Sequence, residues 1–170
     1  MRQIMAVLIC AFLSLFGQVE LSAAQGANFL ELFDDWSIYE FKQGNRKLCF
    51  AVSQPKDSEP KEIERSDTYF YISSWPSEGV TNEVSIKIGY DFADGSTVTV
   101  QIGSVDFELF TDGDKAFVET TARERRLVNA MRRGSKMVVK GRSVQGTDTS
   151  DVYSLFGVTA AIRYLAQICR

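Results

Sequence analysis

The 170-residue sequence contains no histidine and only three cysteines. The first absence rules out a Ser-His-Asp triad, a Cys-His pair and a His-ligated zinc site. The second leaves too few thiolates for a sulfur metal site. No Gly-x-Ser-x-Gly is present; "GRSVQG" (141–146) has the wrong spacing. "SQPK" (53–56) matches Ser-x-x-Lys, but Pro55 and the charged run after it place it in a loop, and no Lys-Thr-Gly partner exists. "TDGDK" (111–115) lacks the third acid and closing Glu of a calcium loop, so it reads as a hairpin turn. The residues therefore offer no catalytic set, no metal site and no cofactor site.

Long apolar runs are also scarce. The one at the start, residues 4–16, follows Arg2 and leads to Ser22-Ala23-Ala24 before Gln25. A positive start, a short apolar stretch and small residues at −3 and −1 predict a secretory signal peptide over 1–24. The run is short of the roughly 20 residues needed to span a bilayer, so no transmembrane segment is expected after cleavage. No lipobox precedes Cys10. Residues 25–170 are then expected to form a single domain in the periplasm, the exterior or the outer surface.

Removal of the signal leaves Cys49 and Cys169. In an oxidising compartment an even pair predicts a disulfide; two separate buried thiols are the alternative. From 36 to 120 the chain reads as short β-prone runs separated by turn signals. They are "SIYEF", "KLCFAV", "TYFYIS", "EVSIKIGY", "STVTVQIG", "VDFELF" and "KAFVET". Asp94-Gly95, Gly103-Ser104 and Asp112-Gly113 supply the turns, so 83–119 is expected to be an antiparallel meander. The charged segment 53–67 is expected to be a solvated loop.

Residues 121–133 carry a helix pattern. Thr121 and Glu124 read as a capping box, Leu127, Ala130 and Met131 share a face, and Gly134 ends it. "KMVVKGRSV" returns to strand, and "GTDTSDVYSLFG" is a turn followed by a short extended run. The C-terminal "VTAAIRYLAQICR" places Val158, Ala161, Ile162, Leu165 and Cys169 on one helical stripe. In "KLCFAV", Leu48, Phe50 and Val52 face one way and Cys49 and Ala51 the other. The bulky set is expected in the core, with the small set leaving room for the last helix. The fold class is mainly β: an antiparallel β-sandwich, immunoglobulin-like or jelly-roll-like, or a barrel. One internal helix and a C-terminal helix pack on it.

Several segments resemble one family. They are "DDWSIYE" (34–40), "LCFAVSQP" (48–55), "VSIKIGY" (84–90), "FELFTDGDKAFV" (107–118) and the stretch 127–162, closed by Cys169. Together they resemble the invasion-associated locus B family of exported α-proteobacterial proteins. Gln145 stands where the family pattern often carries arginine. The resemblance implies a periplasmic or surface β-sandwich linked in pathogens to host-cell invasion, with no enzymatic activity or cofactor.

Two surfaces are candidates for contact. Arg123, Arg125, Arg126, Arg132, Arg133, Lys136, Lys140 and Arg142 face Glu124 alone in 123–142, a local +7 in a chain of −3. Such a patch suits an anionic lipid or glycan, or it is a solvated helix face. Nucleic acid is not expected for an exported acidic protein. Tyr69, Tyr71 and Trp75 are the second candidate, as partner-binding aromatics or cross-strand pairs. Three function classes follow. The first is a non-enzymatic exported protein that binds an unknown protein or envelope component. The second is a hydrolase using carboxylates such as Asp34 with Asp35 or Asp148 with Asp151. The third is an envelope-maintenance or chaperone-like module.

Overall fold

A computed structural model describes residues 26–170. The expected signal peptide lies outside the described residues. Eleven strands form one antiparallel sheet. In chain order they are β1 (Asn28–Phe33), β2 (Trp36–Gln43), β3 (Arg46–Ser53), β4 (Asp57–Glu59), β5 (Tyr69–Trp75) and β6 (Val80–Lys87). β7 (Thr97–Ile102), β8 (Val105–Asp112) and β9 (Lys115–Phe117) precede the helix α1 (Thr121–Met131). β10 (Lys136–Arg142), β11 (Asp148–Ser154) and the helix α2 (Val158–Ile168) complete the chain. Across the sheet the order is β1-β2-β3-β5-β6-β9-β8-β7-β10-β11-β4. The fold is mainly β and sandwich-like, with one internal and one C-terminal helix.

The sheet rolls until its ends face each other. Trp36 on β2 donates its indole N–H to the Ser154 carbonyl at the end of β11, 3.2 Å away. Phe70 bridges the two layers, edge-on to both Trp36 and Tyr153. Three residues carry the chain from β3 to β4, which pairs with β11 at the far edge. Trp36, Ile38, Phe70, Ile72, Val84, Ile86, Val98 and Val100 are completely buried between the layers. Their strict alternation with wetter neighbours is the period-2 signal of a half-buried sheet.

The parity expected for β3 is reversed. Cys49 and Ala51 are fully buried, while Leu48, Phe50 and Val52 are only half-buried on the opposite face. Ala51 pairs with Ile38, and small side chains here leave space for α2, which lies across the inner face of β1, β2 and β3. Cys49 joins Cys169 just past α2, with Cα atoms 5.9 Å apart.

The expected meander is also corrected. β7, β8 and β9 form one, with two-residue turns at Gly103-Ser104 and Gly113-Asp114. β6 pairs with β9 instead of β7, because β7 pairs with β10. The segment 53–67 is not simply a solvated loop. It contains β4 and sends Arg65 inward. Three strand residues without an apolar side chain leave no periodicity to read.

Candidate functional site

In antiparallel sheets one face usually meets the core and the other meets water. The half of this sheet made by β7, β10, β11 and β4 carries no aromatic on its outer face, where one row reads Asp57, Val152, Val138, Gln101. Another row reads Glu59, Ser150, Lys140, Thr99. The other half, from β1 to β9, carries several aromatics there. Phe29, Tyr39 and Phe50 lie side by side on three adjacent strands, with ring centroids 5.6 and 5.4 Å apart. Tyr71 meets Phe50 at 5.9 Å and Tyr69 at 5.7 Å. The next outward row runs through Ser85 to Phe117 and Phe110, whose rings are 5.7 Å apart.

A register shift in β1 between Phe29 and Glu31 makes Phe29 and Leu32, three residues apart, face the same side. A bulge of this kind changes strand parity. Phe29 remains 56% exposed, Leu32 54% and Phe110 48%. Neither helix covers this face: α2 packs on the inner side and α1 packs against β6 with Leu127, Val128 and Met131 buried. Burial pushes the hydroxyls of Tyr69 and Tyr71 above the usual tyrosine range, and Asp67, which accepts the Tyr69 hydroxyl at 3.2 Å, adds to the first. Both rings stay protonated and neutral.

Tyr69 and Tyr71 thus belong to a larger aromatic surface. Trp75 lies beyond the register shift at the end of β5 and makes no ring contact with them. Phe29, Tyr39, Phe50, Phe110 and Phe117 were not singled out from sequence. For Phe50 the signal was "KLCFAV", in which neither face is wet.

The basic residues divide into separate groups. Arg123 and Arg126 line a cleft opposite Asp106 and Glu108 of β8, and Arg123 pairs with Glu119 at 3.1 Å. Arg125 and Arg132 line another cavity on the opposite flank of α1, beside Thr81 and Asn82. Arg133 and Lys136 are exposed around the exit from the helix. Lys140 and Arg142 sit on the outer face of β10, where Arg142 pairs with Asp148 at 3.6 Å. α1 packs against β6, whereas β10 is flanked in the sheet by β7 and β11.

Thr120, not Thr121, caps α1, its hydroxyl accepting the Arg123 N–H at 3.3 Å. Glu124 therefore sits one position too late for a capping box. Its carboxylate accepts the backbone N–H of Val84 at 2.7 Å, docking α1 on β6. Burial raises the Glu124 pKa above its ordinary range.

The candidate carboxylates are engaged elsewhere. Asp35 pairs with Lys56 at 2.5 Å, and Asp34 occupies a left-handed turn position, φ 49°. Asp151 is completely buried and takes both arms of the Arg65 guanidinium, while Asp148 is exposed. Beside this pair, burial pushes the Tyr153 hydroxyl far above its usual range, and that hydroxyl has no hydrogen-bond partner among the described residues. No group of His, Cys, Asp and Glu among the described residues can hold a metal ion. No helix among them is long and apolar enough to cross a membrane.

Comparison with known protein families matches residues 36–166 to the one described as Invasion associated locus B (IalB) protein. No curated protein matches the chain, and no solved structure does. The matched span runs from the start of β2 into the last turn of α2, so it contains the core, the buried ion pair and most of the aromatic face.

Proposed function

Because the chain belongs to the invasion associated locus B family, we propose that it is an exported, non-enzymatic interaction protein that binds a protein partner through its uncovered aromatic sheet face. One observation carries this reading. The same sheet presents no aromatic on the outer face of one half and stacked aromatics on that of the other. Leaving such apolar surface wet opposes folding, and contiguous patches of this type mark contact sites. Tyrosine and phenylalanine bring large area at small entropy cost, which suits them to the centre of an interface. Host association is the role the family name suggests.

The test uses the mature, oxidised protein with a photo-crosslinking residue at Tyr39 or, as a control on the half without aromatics, at Thr99. The expected result is a defined adduct from Tyr39 only. The purified partner should then bind Phe50→Ser/Tyr71→Ser at least tenfold more weakly than wild type. Equal crosslinking from both positions, or unchanged affinity of the double variant, refutes the reading.

A second reading is an envelope chaperone-like module, and the edge strand β1 favours it. β1 is exposed, carries Phe29, Leu30 and Leu32, and has one charge, Glu31. The opposite edge, β4, has three residues with Asp57 and Glu59 and is followed by Pro60, the usual protection of an edge. An open edge accepts an added strand. One of its donors, the Leu32 N–H, is held by the Glu31 carboxylate at 3.1 Å. If β1 receives clients, wild type suppresses aggregation of an unfolding envelope protein and Leu30→Pro does not. Equal suppression by both removes this reading.

A further inference from the structure

Three arginines of the described residues form ion pairs, and Arg46, Arg125, Arg126, Arg132, Arg133, Arg163 and Arg170 do not. Arg65 binds Asp151, Arg123 binds Glu119 and Arg142 binds Asp148. Arg125 and Arg132 make no ion pair among the described residues. Arg125 lies in α1 and Arg132 caps its C-terminus; seven residues, about two helical turns, separate them, so they project from the same flank. Asn129 lies between them on that flank, four residues from one and three from the other. All three line a cavity of about 250 Å³ whose other wall includes Thr81 and Asn82 at the start of β6.

The chemistry of this cavity is unbalanced. Two guanidiniums, two carboxamides and the threonine hydroxyls offer many N–H and O–H donors. The one carboxylate on its wall, Glu124, already accepts the Val84 N–H and is fixed toward β6. Asn82 has a left-handed backbone, φ 56°, and its N–H is directed to the Ser74 hydroxyl at 3.3 Å, which fixes the far wall. Paired guanidinium forks match the oxygen geometry of a phosphate group better than that of a single carboxylate. Arg125, Asn129 and Arg132 are solvent-exposed, and Thr81 and Asn82 line the same cavity from β6.

We propose that the cavity between α1 and the start of β6 is a phosphate-binding site, with Arg125 and Arg132 as its two clamps and Asn129, Thr81 and Asn82 completing the cage. The site is independent of the aromatic side chains, which lie on β1, β2, β3, β5, β8 and β9. A phosphate group of either origin, free or on a lipid headgroup, presents the same oxygens to it.

The experiment measures binding of inorganic phosphate by calorimetry, and co-sedimentation with phosphatidylcholine vesicles with and without phosphatidic acid. Wild type is compared with Arg125→Gln, Arg132→Gln and, as a control outside the cavity, Arg133→Gln. Each variant is first shown to melt as wild type does. The expected result is saturable binding to at least one probe, weakened tenfold or more by Arg125→Gln and by Arg132→Gln but not by Arg133→Gln. Binding of inorganic phosphate alone identifies a soluble ligand. Binding only to vesicles that contain phosphatidic acid identifies a headgroup. Absence of binding to both probes overturns the proposal. So does binding that all three variants weaken equally, because that is non-specific charge, and so does binding that none of them weakens.

Discussion

Arg65 donates two hydrogen bonds to Asp151, one of them 2.9 Å long, across 86 residues of sequence. Arg65 comes from the charged segment 53–67 and Asp151 from β11, and the pair is almost completely shielded, with side-chain exposures of 8% and 0%. A third contact, 3.3 Å from the guanidinium to the Ile88 carbonyl, ties in the end of β6. Burial works against the charge on Arg65, and the Asp151 carboxylate more than offsets it, so its pKa rises.

The pair is expected to behave asymmetrically on mutation. Asp151→Ala strands a buried guanidinium and costs about 3–5 kcal/mol in urea unfolding, whereas Arg65→Met with Asp151→Leu recovers most of the loss. A cost below about 1 kcal/mol for Asp151→Ala shows that water reaches the pair.

The disulfide between Cys49 and Cys169 closes a loop spanning 120 residues. Its loss by Cys169→Ser is expected to cost about 2–5 kcal/mol. The last turn of α2 should also lose amide-exchange protection first, since Cys169 anchors the end of that helix on β3. Identical melting temperatures for the oxidised and reduced protein contradict this.

Glu124 gives a pH dependence with a definite sign. Burial raises its folded pKa above the ordinary 4.5. The fold therefore favours the protonated form. This contribution is full below the unfolded value and is lost as pH rises through the higher folded value. Glu124→Gln keeps a carbonyl oxygen for the Val84 N–H and removes the titration. Its stability relative to wild type should increase as pH is raised from 4 to above that folded value. A stability difference independent of pH across this window shows that Glu124 does not titrate differently on folding.

Much of the fold was legible because its signals are local. The alternation of Val98, Val100 and Ile102 marks a strand with one dry face, and two-residue turns with glycine at positive φ, Gly103 and Gly113, set the register of β7, β8 and β9. The stripe from Val158 to Leu165 likewise fixes which side of α2 meets the sheet, and hence that Cys169 lies near it. Periodicities of 2 and 3.6 residues need only a few neighbours to be read.

The remainder depended on partners distant in sequence. Whether Phe50 or Ala51 enters the core is invisible in "KLCFAV", where both parities are apolar. The position of α2 on one side of β3 decides it, burying Ala51 and leaving Phe50 to stack on Tyr39 in the outer row. The eight basic residues are one cluster on paper, but the helix radius separates Arg126 from Arg125 and the strand order removes Lys140 to another surface. Sequence determines the elements, because each depends on the energetics of adjacent residues. Only the rolled sheet decides which faces stay dry, which charges meet and which aromatics remain uncovered, because those outcomes depend on what packs opposite each strand.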